Sequence, residues 1–117
     1  MNERLVSDRS PYVPLDVFLP GKSGSFESLL DTGFEGDVVI PESFAADADP
    51  SDEYRRYRLA DGSRTWGAVY FGTIRLGALG TFPARIVALG DECLIGLRVA
   101  DRFKITLDHG RELVVEP

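Results

Sequence analysis

The sequence predicts an all-β barrel or sandwich. Three observations carry that expectation. Apolar residues recur with the two-residue period of strands. Turns rich in glycine, proline and aspartate separate these runs at short intervals. The helical stretches are one or two turns long at most. A chain of 117 residues makes one domain, 1–117, with a modest core.

Residues 1–11 read as a loosely attached arm with little apolar patterning. Val13, Leu15, Val17 and Leu19 alternate with Pro14, Asp16 and Phe18, giving a first strand with one apolar face. Pro20-Gly21-Lys22-Ser23-Gly24 is a turn, and 25–30 form the second strand of a hairpin. That strand points Phe26, Ser28 and Leu30 to one side and Glu27 and Leu29 to the other. After a loop at 33–36, residues 37–40 form a short buried strand, and Pro41 opens one or two helical turns. A strand over 54–59 leads to Ala60-Asp61-Gly62-Ser63, a hairpin tip in which Asp-Gly suits positive backbone angles. The return strand, 64–76, carries Gly67 and Gly72 as bulge or bend points. Gly77-Ala78-Leu79-Gly80 turns into a strand over 81–89. Leu97, Ala100 and Phe103 would share the inner face of a short helix over 97–103. Residues 104–107 and 111–115 close the chain as a hairpin across Asp108-His109-Gly110.

Composition narrows the chemistry. The net charge of −6, with acids spread along the chain, disfavours nucleic acid and anionic membrane surfaces as partners. No apolar run is long enough to span a bilayer, and residues 1–8 have no apolar signal core, so a cytoplasmic location is expected. Cys93 is the single cysteine, which forbids an internal disulfide and a cysteine-built zinc site and suits a reducing compartment. His109 is the single histidine and reads as a solvated turn residue, not a catalytic base. Asp31, Glu35 and Asp37 do not follow the spacing of a calcium loop. Asp91 and Glu92 read as a solvated turn.

One stretch stands apart. In Leu29-Leu30-Asp31-Thr32-Gly33-Phe34 an apolar strand runs into a carboxylate, a hydroxyl and a glycine. Asp31 therefore sits where a buried strand becomes a tight loop. A carboxylate there is costly unless donors or a second charge hold it, so the setting suits a catalytic acid as well as an Asx-turn. The tripeptide alone arises by chance in roughly one chain in fifty of this length, so the context must carry the rest. A second apolar run into glycine, Leu94-Ile95-Gly96, echoes the first and precedes the short helix.

With these residues the chain resembles the retropepsin-like aspartic peptidases, single-lobe relatives of pepsin that include the retroviral proteases. Leu29-Leu30-Asp31-Thr32-Gly33 is similar to the catalytic loop, and Leu94-Ile95-Gly96 to the family's second hallmark, which threads past that loop. The hairpin tipped by Ala60-Asp61-Gly62-Ser63 lies between them, at the place of the flap. The likeness covers roughly 13–115, and Asp31-Thr32-Gly33-Phe34 with Pro41 is closest to a prokaryotic branch. It implies a small closed barrel with one short helix near its C-terminus, and peptide hydrolysis by a water held between two aspartates, without metal or cofactor. Only one Asp-Thr-Gly is present, so the resemblance implies a homodimer in which Asp31 of each subunit meets at a two-fold axis. Thr32 would brace the paired loops, Gly33 would admit the substrate, and the flap would close over an extended peptide or protein segment. The terminal strand over 111–115 is the candidate interface. One departure from the pattern is Phe34, where relatives carry alanine or a hydroxyl residue. A second reading stays open: a non-catalytic module that binds peptides or a protein in the same groove.

Overall fold

The computed structural model describes residues 3–117. Two sheets form, and the larger one closes on itself. Its strands are β2 (Tyr12–Leu19), β3 (Lys22–Leu30), β4 (Val38–Ile40), β5 (Glu53–Arg58), β6 (Arg64–Arg75), β7 (Thr81–Ala88) and β8 (Leu94–Ile95). They run in the order β2-β3-β8-β4-β7-β6-β5, and β2 also pairs with β6. That last pairing closes a six-stranded barrel and leaves β5 outside it, joined to β6 alone. Closure removes the open edges that a small sheet would otherwise expose.

The alternation expected for β2 decides what fills the barrel. Val13, Leu15, Val17 and Leu19 are all buried, and Val38, Ile40, Ile74 and Ile86 join them. Ser28 is also fully buried, and its hydroxyl donates to the Val13 carbonyl at 2.6 Å, which removes the cost of burying it. Gly72 is not a bulge, since the register of β6 with β7 runs through it unbroken. It lies within the continuous strand β6, where a Cβ would stand 2.5 Å from the Phe18 carbonyl oxygen. Its missing side chain lets β2 approach β6 and close the barrel.

The second sheet has three strands, β1 (Leu5–Ser7), β10 (Glu112–Glu116) and β9 (Lys104–Asp108), in that order. Two expectations change here. Part of the arm expected over 1–11 is a strand: Leu5, Val6 and Ser7 pair antiparallel with Val115, Val114 and Leu113. Met1 and Asn2 of that arm lie outside the described residues. The terminal strand β10 is central in its sheet, so both of its hydrogen-bonding edges are filled within the chain. The hairpin between β9 and β10 turns as read, with positive φ at His109 and Gly110.

Two short helices complete the chain, α1 (Glu42–Ala45) and α2 (Leu97–Ala100). The inner face of α2 differs from the expected one. Val99 is the buried residue, Ala100 and Phe103 flank it, and Leu97 is half-exposed. A helix of four residues has too few turns for the spacing rule to fix its face.

Candidate active site

Asp31 lies one residue beyond the end of β3, and the neighbouring strand sets its height. Strands β3 and β8 are parallel, with Leu29 opposite Leu94 and Leu30 opposite Ile95. The ladder extends into the loop, where the Asp31 N–H donates to the Ile95 carbonyl at 2.9 Å. The loop then folds back, with the Phe34 N–H on the Asp31 carbonyl at 3.2 Å and the Gly33 N–H on the Asp31 carboxylate at 3.0 Å. Among the described residues, that N–H is the one donor held by the carboxylate. Asp31 is half-buried, and Thr32 and Gly33 are exposed, so the loop presents its polar tip to the outside of the chain.

The second apolar-glycine run locks the loop from behind. The Gly96 N–H donates to the Asp37 carbonyl at 2.8 Å, the Leu97 N–H to the Phe34 carbonyl at 2.7 Å, and the Arg98 N–H to the Gly36 carbonyl at 3.2 Å. Only glycine fits at 96, because a Cβ there would stand 2.2 Å from the Gly36 oxygen and 2.6 Å from the Phe34 ring. Leu94, Ile95 and Gly96 therefore act on Asp31 through the backbone. Asp37 adds a further clamp: its carboxylate accepts the Arg85 N–H at 2.8 Å and lies 3.6 Å from the Arg98 guanidinium.

Phe34 lines the groove beside Asp31 and also packs inward. Its ring packs over the backbone of Gly36 and Gly96 and is half-buried there. One face still borders a cavity of about 610 Å³ whose floor includes Asp31 and Gly33. Val39, Leu89 and Leu94 supply apolar walls, and Asp91 and Glu92 stand at the rim. The volume suits a segment of chain or a drug-sized molecule.

The β5–β6 hairpin reaches the same cavity, but through its shoulder. Tyr57, Arg58, Leu59 and Ala60 line it; of the tip residues expected there, Asp61, Gly62 and Ser63 do not. The tip is a self-contained turn. The Gly62 N–H donates to the Leu59 carbonyl at 2.9 Å, and the Asp61 carboxylate accepts the Ser63 N–H at 2.8 Å and its hydroxyl at 2.6 Å. The Ser63 hydroxyl, followed by its N–H, holds the Asp61 carboxyl below the ordinary aspartate range. Gly62 alone has a positive φ, +86°, so a single left-handed residue turns the chain where the sequence suggested two.

Tyr57 escaped the sequence reading, although its alternation with Arg56 and Arg58 on β5 was a usable signal. Its phenol is pushed up from the usual tyrosine range, chiefly by burial. Trp66 and Tyr70 do not line this cavity; both border a separate hollow with Tyr54, and Tyr70 is otherwise buried. The other nucleophile candidates are remote or inert. His109 is exposed in its turn, and burial pushes the Cys93 thiol up to about 12, so no thiolate is present near neutral pH.

No family model matches the chain, and no curated protein matches it. Solved structures do match. One is the crystal structure of a retropepsin-like aspartic protease from Rickettsia conorii, with a TM-score of 0.70 at 19% identity, over 99% of this chain and 92% of that one. Another is the solution structure of the simian foamy virus protease, with a TM-score of 0.56 at 16% identity, over 77% of this chain and 91% of that one. The chain is thus similar in fold to these two proteases.

Proposed function

We propose that the chain is one half of an aspartic endopeptidase, and that two copies pair to make the working enzyme in the cytoplasm. The observation that carries this reading is the position of Asp31. Its carboxylate lies on a loop locked from behind by Gly96, in an open cavity also lined by the shoulder of the β5–β6 hairpin. The likeness in fold to two aspartic proteases supports the same assignment.

Peptide hydrolysis at such a site needs an acid and a base. Two carboxyls about 3 Å apart cannot both ionise, so symmetry makes one of each from identical residues. The ionised Asp31 takes a proton from water, while its protonated mate polarises the scissile carbonyl. The chain has one Asp-Thr-Gly, so the mate must come from a second copy. Thr32 and Gly33 are exposed on the lone subunit, as a pairing of the two loops requires. An extended peptide then lies between the loop and the hairpin, with Ala60 and Phe34 as contacts and Asp61, Gly62 and Ser63 shaping the tip that closes over it. The pair needs no metal or cofactor in this scheme.

Asp31→Asn tests the reading. Hydrolysis of a mixed peptide library should fall by at least about a thousandfold, with thermal unfolding little changed. A variant that cleaves at the parent's rate removes Asp31 from the chemistry. The alternative, a peptide-binding module without catalysis, gains some support from the bulk of Phe34 beside the loop. A pepstatin-type transition-state analogue separates the two readings. A working pair should be protected against heat by it, and a binding module in a confirmed dimer should not.

A further inference from the structure

Beside the Asp31 cavity lies a second hollow of about 940 Å³. The two share Gly33, Phe34, Tyr57 and Arg58 in their linings, so they are compartments of one groove. Their charges differ in kind. The Asp31 compartment has Asp91 and Glu92 at its rim, with Arg58 as its single cation. The second compartment gathers Arg55, Arg58, Arg85 and Arg98 against Glu35 and Asp37. Four of the thirteen basic residues of a chain with net charge −6 thus line one hollow.

The carboxylates offset them only in part. Asp37 accepts the Arg85 main-chain N–H through one oxygen and pairs with the Arg98 guanidinium through the other, at 3.6 Å. The Arg98 side chain nevertheless remains 67% exposed. Arg55 pairs with Glu53 along its own strand at 2.7 Å. Among the described residues, Arg58 has no carboxylate within 4.0 Å, and it stands on the boundary between the compartments. An exposed guanidinium at that boundary offers a planar pair of donors to a passing carboxylate.

We propose that this hollow is an acid-selecting subsite, which favours peptides carrying Asp or Glu close to the bond to be cut. Arg58 and Arg98 are its specificity-determining residues. The inference rests on the peptidase reading for its meaning, but binding alone can test it. Each subunit carries one such hollow, so a two-fold pair offers one on each side of the scissile bond. Acidic residues should therefore help on either side.

The experiment uses peptide pairs of equal length that differ only by Glu against Gln at successive positions flanking an apolar centre. For the parent protein, kcat/KM should favour Glu by about tenfold at the best position, the scale of one charge-assisted hydrogen bond in a half-open site. In Arg58→Ser and in Arg98→Gln the Glu-to-Gln ratio should fall toward one. The same pairs, fluorescently labelled, are titrated onto the Asp31→Asn protein, which reads selection without turnover. If the parent cleaves nothing but the labelled Glu peptide binds more tightly and Arg58→Ser removes the difference, the subsite stands and the peptidase reading fails. Equal handling of Glu and Gln in both assays, or a preference that survives both arginine variants, overturns the subsite.

Discussion

Two glycines of the site show how a missing side chain serves different ends. Gly96 is enclosed, and an added Cβ would meet backbone at 2.2 Å, which cannot move without shifting the Asp31 loop. Gly96→Ala should therefore destabilise the fold by about 3 kcal/mol, as overpacking against main chain does, and lower the thermal midpoint by about 10 °C. Gly33 is open, and its added Cβ would touch only the Asp31 carboxylate, at 3.2 Å. Gly33→Ala should leave the midpoint within about 2 °C of the parent but abolish most hydrolysis, because the methyl displaces the reacting carboxylate. Calorimetry beside a peptide assay separates the two; equal thermal losses would mean that the loop is packed differently. Away from the site, Asp16 carries a testable pH effect. The Ser25 hydroxyl, then Arg75 through its Nε at 2.9 Å, hold its carboxyl below the ordinary range. A lowered folded pKa contributes stability above the unfolded value near 4, and that stability is lost as pH falls through the folded pKa. The pair is partly exposed, so Asp16→Asn should cost no more than about 1 kcal/mol near pH 7. The difference should shrink as pH falls below the unfolded value near 4 and vanish once Asp16 is protonated in the folded parent. A gap that widens on acidification would contradict the pairing.

The elements that carry apolar alternation were legible in the sequence, and those fixed by long-range pairing were not. The faces of β2 and β3 follow from residues 13–19 and 25–30 because each strand has one wall in the core. The loop residues Asp31, Thr32 and Gly33 and the crossing run Leu94-Ile95-Gly96 were legible through their order, and the chain does bring them together. The arm was not, because β1 has three residues and owes its place to β10, more than a hundred positions away. Nor was the arginine hollow. Arg55 and Arg58 lie on β5, Arg85 on β7 and Arg98 on α2, and only the folding of these elements onto one hollow makes them neighbours. The hairpin itself supports a prediction. Gly62 has φ +86° with nothing near its missing Cβ, so Gly62→Ala meets conformational strain without a clash. A left-handed alanine costs about 1 kcal/mol, charged to the hairpin rather than to the barrel. Hydrogen exchange at the amides of Leu59 and Gly62 should quicken about fivefold, and kcat/KM should fall by a similar factor. Unchanged exchange at the tip would show that the hairpin is held by something other than its own turn.

At the scale of the whole molecule, the proposal stands or falls on pairing. The barrel is closed, and β5, joined to β6 alone, carries an outer edge of the larger sheet. In the small sheet β10 is flanked on both sides, and among the described residues the outer edges of β1 and β9 have no strand partner. Val6 on β1 and Leu107 on β9 are large apolar residues exposed near those edges. The terminal region expected at the interface therefore remains a fair place for one, by its flanks rather than by its central strand. Whatever surface joins the copies, a shared dyad has a kinetic signature that a self-sufficient subunit lacks. Specific activity should fall on dilution in step with the dimer fraction seen by sedimentation. The stronger test is subunit exchange with the Asp31→Asn chain. If each active site needs Asp31 from both copies, a mixed dimer is dead. Tenfold excess of the variant, mixed to equilibrium, should leave the parent about one tenth of its activity, because only that share of parent chains still meets another parent. Activity that survives such mixing undiminished, while a mass-labelled variant is shown to exchange, would mean that a single chain supplies the whole acid–base machinery.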